Sequence, residues 1–397
     1  MKSIIWILFA IMFVIGTDTF IVSPLLPLLD AKLAIPIELS GWLVSAYAIG
    51  YCVTALFAGP LSDRWNRKSS LMIGLAAFAL FTAGCGLAFN FWSLFLFRLL
   101  AGISAAFVSP QVWASIPQLV PQHQTMRAMG ITSAGLACAQ CFGVPLGSYL
   151  SASHWQTPFV FIGVLALLLI GIVYAQFPNL PAQILTSGHA VNSISRMYHE
   201  LLRKPHAIRW FAGYFIFTMG MFAVFSFIGH WLTDTYKLTV SQIGTFVLVI
   251  GAGNLIGSLL ASHVAQHGSR RRVISLLITG MIAGFIVVAY STYLPLAASA
   301  YFALTALGGI LFPLLMMMLQ SLHSEARGMI AALANAMMYG GTTVGAACAG
   351  ILYTVGSGFT TIIWFTMVCY LIALILFRTK DDISVSNISL SKVSLKV

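Results

Sequence analysis

The chain has 397 residues, of which 59% are hydrophobic and only 7% charged, with a formal net charge of +11. Soluble domains carry roughly 25% charged residues, so no soluble fold of this length can hide so much apolar surface. The Lys and Arg residues fall in the gaps between apolar runs instead of forming a stripe interleaved with aromatics, which argues against nucleic acid as a partner.

A helix that crosses a bilayer needs about 20 mostly apolar residues. By that measure twelve runs are predicted, at about 4–29, 39–61, 69–89, 92–115, 128–151, 157–177, 208–232, 241–264, 273–291, 294–320, 328–352 and 359–378. The first follows Met1-Lys2, lacks a small-x-small cleavage pattern and is too long for the apolar core of a secretion signal, so it reads as an uncleaved span. An even number of spans puts both termini on one side. On that side fall 17 of the 20 cations; Lys32 and Lys237 fall on the other, and Arg98 within a span. The asymmetry predicts cytoplasmic termini and a multi-pass protein of the cell (inner) membrane.

Span one carries Asp18, and span four carries Arg98. The other acids lie outside the spans: Asp30, Glu38 and Asp234 at the outer face, and Asp63, Glu200, Glu325, Asp381 and Asp382 at the inner one. A charge at membrane depth costs several kcal/mol unless it is paired or hydrated, so each of the two is a functional candidate by default. Asp18 lies about 21 Å from the inner surface and Arg98 about 9 Å from the outer one, which in a core about 30 Å thick is the same level. The two can therefore meet. Pairing favours the ionised carboxylate and desolvation the neutral acid, and a carboxylate that alternates between such surroundings is a proton carrier. The bland alternatives are an Asp18 that satisfies carbonyls freed by Pro24 and Pro27, and an Arg98 tied to backbone carbonyls.

Between spans two and three, Gly59-Pro60-Leu61-Ser62-Asp63-Arg64-Trp65-Asn66-Arg67-Lys68 packs four charges into six positions. This G-x-L-x-D-R-x-x-R-K spacing resembles the signature loop of the major facilitator superfamily, which joins its second and third membrane helices. Leu94 to Gly102, around Arg98, is similar to the superfamily's fourth-helix motif, whose arginine is implicated in proton transfer. Span five carries Gly135 and Gly143-Val144-Pro145-Leu146-Gly147, which resembles the fifth-helix signature of exporters. There the family usually has Gly-Pro, and the inserted Val144 fits the sugar and purine efflux branch better than typical drug pumps. Asp18 to Pro27 resembles the first-helix region of twelve-span drug:proton antiporters.

The resemblance implies an all-α membrane protein of twelve transmembrane helices in two pseudo-symmetric six-helix halves. The expected units are residues 1–178, a linker at 179–207, residues 208–378 and a tail at 379–397. Within the linker, Ile194, Met197, Tyr198, Leu201 and Leu202 recur at helical spacing beside Arg196, Arg203 and Lys204, as in an amphipathic helix on the inner leaflet. The halves echo each other: Arg127 and the glycines of span five against Arg327 and Gly340, Gly341, Gly345 and Gly350 of span eleven. Transporter folds built from repeats show such weak symmetry. The family further implies that Asp63 binds the start of span eleven near Arg327-Gly328 and latches the cytoplasmic side, with Gly59 allowing close approach and Arg64, Arg67 and Lys68 beside it. Positive-inside topology explains those three cations equally well, but not Asp63.

Weaker candidates for a central substrate cavity are Gln111, Trp113 and Gln140 in the first half. In the second half they are Phe222, Phe225, Asn254, Gln320, Asn335 and Tyr339. His230 near Asp234 reads as a rim histidine beside an acid. Cys138 and Cys141 have redox-motif spacing but lack the strand–helix context of a redox site. No cofactor, metal or catalytic site is expected: His263 and His267 have no nearby acid, which argues against a membrane enzyme. The expected partners are a small-molecule substrate, protons and the bilayer, and nothing requires an oligomer.

The sequence thus points to a proton-coupled efflux antiporter for a small, neutral or amphipathic molecule such as a drug, purine nucleoside or sugar. One pH unit supplies about 1.36 kcal/mol per proton and 100 mV about 2.3, enough for a gradient of roughly 500-fold in a neutral substrate. For a monovalent cation the potential cancels, so a single buried acid suits an uncharged substrate well. The rival expectation is a proton-coupled uptake symporter of the same fold.

Overall fold

The computed structural model describes residues 2–62, 66–180, 205–264, 269–322 and 327–378. Among these the regular structure is helical. The first half contains α1 (Lys2–Leu33), α2 (Ile37–Ser62), α3 (Arg67–Cys85) and α4 (Phe91–Leu119). It continues with α5 (Thr125–Cys138), a π-helical turn (Ala139–Gly143), α6 (Val144–Ser151) and α7 (Thr157–Gln176). The second half contains α8 (Pro205–Ser226), α9 (Ile228–Tyr236), α10 (Val240–Val264), α11 (Arg270–Tyr290), α12 (Leu294–Gln320), α13 (Arg327–Val355) and α14 (Phe359–Arg378). The expected linker helix and the tail beyond Arg378 lie outside the described residues.

The predicted spans reappear with few changes. Polar residues start two of them: the Asn66 side chain accepts from the backbone of Lys68 and Ser69, and Asn90 with Ser93 forms a capping box ahead of α4. Large apolar residues such as Leu87, Phe89 and Leu259 are exposed around the bundle, as the lipid-facing surface of a membrane protein requires. Eleven helices among the described residues are long and apolar enough to cross a membrane. The twelfth expected span is present as α13, 29 residues long, but it is not among them. Gly340, Gly341, Gly345 and Gly350 press on neighbouring helices: a Cβ on Gly345 would sit 2.2 Å from the Met219 carbonyl oxygen of α8. A helix buried by its neighbours need not be apolar all round.

Two spans depart from simple rods, and one is longer than expected. The fifth changes pitch at Ala139–Gly143, where the Val144 N–H reaches back to the Ala139 carbonyl. Pro145, which follows, cannot donate to the helix ladder, and a π turn is one way to absorb that loss. The seventh is divided at Phe227 into α8 and α9. The first is the correction: Pro24 and Pro27 lie inside α1 and do not end it, so α1 runs on past Asp30 to Leu33.

Buried apolar residues form two clusters. One is drawn from the second six spans, and the other from the first six together with Val247 and Ala346. The halves meet along two seams. In one, Ser45 donates to the Thr343 carbonyl at 2.7 Å, Cys52 to the Ala336 carbonyl at 3.2 Å, and a Cβ on Gly41 would lie 1.8 Å from the Ala346 oxygen. In the other, Gly244 and Gly251 of α10 press on Ser148 and Cys141. Among the described residues, both seams include contacts on the side opposite the termini, at Gly41–Ala346 and Gly244–Ser148. The side away from the termini is therefore closed.

Candidate functional site

Asp18 and Arg98 meet. Arg98 Nη1 donates to Asp18 Oδ2 at 2.9 Å, with the two side chains 1% and 0% exposed. Depth alone put them at one level; helix packing makes the contact. A Cβ on Gly102 would lie 2.1 Å from the Tyr47 carbonyl oxygen, and one on Gly50 2.3 Å from that of Leu99, so α2 and α4 touch through their backbones. That approach slides the Tyr47 ring under the guanidinium, 4.5 Å from ring centre to Cζ. A cation over an aromatic face, shielded from water, is stabilised by up to about 2 kcal/mol. Tyr47 was not legible beforehand, because nothing in its own segment marks it.

Tyr47 connects this pair to a narrow pocket between the halves. Thr19 Oγ1 lies 3.1 Å from Tyr47 Oη, and both line the pocket together with Phe222, Phe225, Tyr339 and Thr342. Phe20 meets Phe225 edge-on at 5.9 Å, and Tyr51 stacks on Tyr339 at 3.8 Å. Among the described residues that line the pocket, none carries a carboxylate, amine or guanidinium.

Of the predicted cavity residues, Phe222, Phe225 and Tyr339 are there. Gln140, on the π turn, accepts a hydrogen bond from Asn254 Nδ2 of α10 at 2.8 Å, across the halves. Gln111 is buried within the first half, and Trp113 packs on that half's core, so neither lines the pocket. Asn335 is half-buried on α13 and is not among the lining residues.

The glycines of the fifth span carry the first span. A Cβ on Gly135 would meet the Phe9 carbonyl at 2.4 Å, one on Gly143 the Thr17 hydroxyl at 2.0 Å, and one on Gly147 the Ile21 side chain at 2.4 Å. Pro145 touches α10 near Gly244. This stripe thus holds the Asp18 helix on one side and the second half on the other.

In the charged loop, Asp63 and Arg64 lie outside the described residues, and Gly59 is part of α2. Arg67 is buried at the start of α3, and its backbone N–H donates to the Leu180 carbonyl at 3.3 Å. Lys68 Nζ donates to the Tyr174 carbonyl at 2.8 Å. These two residues tie the third span to the end of the sixth.

Of the acids expected at the outer face, one is not in water. Asp30 is buried and pairs with His230 Nε2 at 2.9 Å, because α1 continues four residues beyond its predicted end. His230 therefore pairs with Asp30 and not with Asp234, which instead accepts from the Tyr353 hydroxyl. The longer helix, visible only if Pro24 and Pro27 are allowed inside it, was the missed signal.

Two helical halves, a closed seam on one side and a buried acid–base pair beside a pocket between them define a polytopic membrane transporter. The chain belongs to the Major Facilitator Superfamily, whose sequence profile matches residues 8–323 and 210–392. It is 44% identical over 379 residues to an uncharacterised MFS-type transporter, YceJ, of Bacillus subtilis, covering 94% of this chain and 95% of that one. It is 27% identical over 363 residues to multidrug resistance protein 2 of the same organism, covering 89% of each. Its fold is similar to that of the xylose transporter XylE of Escherichia coli in a partially occluded inward-open conformation, with a TM-score of 0.74 at 16% identity, covering 96% of this chain and 99% of that one.

Proposed function

We propose that this protein is a proton-coupled exporter working by alternating access, with both termini in the cytoplasm and the closed side facing out. The observation that carries the proposal is the buried Asp18–Arg98 pair, touching the pocket through Tyr47. A proton entering from outside converts the Asp18 carboxylate to the neutral acid and releases Arg98 from it. The guanidinium then rests on the Tyr47 face alone, and the change is felt at the pocket wall. Returning the proton to the cytoplasm restores the pair. Substrate and proton thus occupy the carrier in alternation.

The pocket lining favours a neutral or amphipathic molecule with an apolar, planar portion: aromatic faces for stacking, Thr19, Tyr47 and Thr342 hydroxyls for orientation, and no charge to neutralise a charged ligand. Similarity to a relative named for multidrug resistance supports export of such a molecule. Asp63, with Arg64, Arg67 and Lys68 around it, is assigned to the cytoplasmic latch, and Gln140–Asn254 to the seam beside the pocket.

Proton movement in energised inside-out vesicles tests this, with purine nucleosides, sugars and lipophilic cations added in turn. Substrate-triggered proton efflux in the wild type, absent in Asp18→Asn, is expected. Substrate flux that persists in Asp18→Asn with no proton response in either protein would overturn the coupling.

A further inference from the structure

A second buried carboxylate–base pair sits at the outer end of the interface, 12 residues and so about 18 Å along α1 from Asp18. Asp30 Oδ2 accepts both from the Ser40 hydroxyl and from His230 Nε2, while Oδ1 is buried without a hydrogen-bond partner. The carboxylate is 9% exposed and the imidazole 6%. Asp30 and Ser40 belong to the first half, on α1 and α2; His230 belongs to the second, on α9. The pair therefore exists only when the halves are together at this end.

Its surroundings make it a joint. α9 is a nine-residue piece separated from α8 at Phe227, and a Cβ on Gly229 would lie 2.9 Å from the Ser23 and Pro24 carbonyls of α1. Phe227 stacks on the imidazole at 5.3 Å, and Tyr353 of α13 lies 5.6 Å away. The polar and charged groups around His230 are Asp30 on α1, Ser40 on α2, Tyr353 on α13 and, one turn on along α9, Asp234, already bonded to Tyr353. Glu38 of α2 and Lys32 of α1 are exposed at the rim.

We propose that Asp30, Ser40 and His230 form a second proton-binding site, whose occupancy by an external proton closes the outer side of the transporter. With a neutral imidazole, joining the halves buries a net negative charge that has one unsatisfied oxygen, which is costly. With an imidazolium, the same contact buries a neutral pair joined by a charge-assisted hydrogen bond, about twice as strong as a neutral one. Imidazole is the side chain that gains a proton in the physiological range. Proton binding and closure then favour each other, since the linkage is reciprocal. In the open form both groups face water, and the preference disappears. The site thus shuts the outer side behind an arriving proton, whatever the substrate and whichever way it travels.

The test reads the outer separation of the halves directly. Fluorophores are placed through non-natural residues at Lys32 and Thr239, exposed positions on the first and second halves, and single molecules are followed in nanodiscs between about pH 8 and pH 5.5, the range over which imidazole changes charge. In the wild type the closed-to-open ratio is expected to rise roughly fivefold on acidification. His230→Gln, which keeps a hydrogen-bond donor, and Asp30→Asn, which keeps the shape, should both be flat over this range; Asp18→Asn should retain the response. If His230→Gln does not fold, Asp30→Asn makes the same discrimination. A wild type insensitive to pH, or a response kept in these variants and lost in Asp18→Asn, would overturn the proposal. The readout requires no transport, so failure of the coupling assigned to Asp18 leaves it standing.

Discussion

Removing one partner of the central pair should cost far more stability than removing both. Asp18 and Arg98 share one hydrogen bond of 2.9 Å. Unit charges at that separation attract by roughly 6 kcal/mol at an effective dielectric constant of about 20. Asp18 Oδ1 and Arg98 Nε and Nη2 are nevertheless buried without hydrogen-bond partners, so desolvation offsets much of that attraction. Asp18→Asn leaves the guanidinium buried without a counter-charge, and should cost about 3–5 kcal/mol. The double variant Asp18→Leu, Arg98→Met replaces the pair by apolar volume, and should fold within about 1 kcal/mol of the wild type or more stably. Equilibrium unfolding in mixed lipid–detergent micelles measures both, and proton-coupled flux in proteoliposomes should be lost in both. If Asp18→Asn matches the wild type in stability, or the double variant is as unstable as the single one, the pair is hydrated and its charges are not held in a low-dielectric interior.

Two further outcomes follow from the packing, and a third from the charged loop of the sequence. Gly41→Ala places a methyl where the Ala346 oxygen lies at 1.8 Å, an overpacking of about 1–3 kcal/mol. It should open the outer seam, seen as increased labelling of outer-half positions by membrane-impermeant reagents; unchanged labelling would place the seam's flexibility elsewhere. Gly143→Ala meets the Thr17 hydroxyl at 2.0 Å beside Asp18, and should slow transport several-fold at normal abundance, with Thr17→Ala restoring part of it. Asp63→Asn should cut transport while protein levels stay normal, as measured by flux per transporter in vesicles; undiminished flux would remove the latch.

The spans were legible because the bilayer imposes a length and an apolarity on every crossing, and residues as ordinary as Leu, Phe and Gly report them. The Asp18 and Arg98 positions were legible for the same reason: ionisable groups stand out against a medium that rejects them. Their roles as partners needed helix depth as well, which a constant rise per residue supplies. By contrast, Tyr47 and Thr19 look like any other residues of an apolar run. Only the backbone contact of Gly50 and Gly102 between α2 and α4 brings Tyr47 under the guanidinium.

Asp30 marks the boundary between the two kinds of knowledge. Its sequence neighbours, two prolines and a predicted span end, placed it in water, and only the continued helix and the docking of α9 bury it against His230. Trp113, aromatic and mid-span, packs on the first half's core. Composition and periodicity thus determined that this chain crosses a membrane and where its charges lie in depth. Which face of each helix turns inward, and which residues two hundred positions apart share a hydrogen bond, was decided by packing, because helix rotation and the meeting of two halves depend on contacts that no single segment contains.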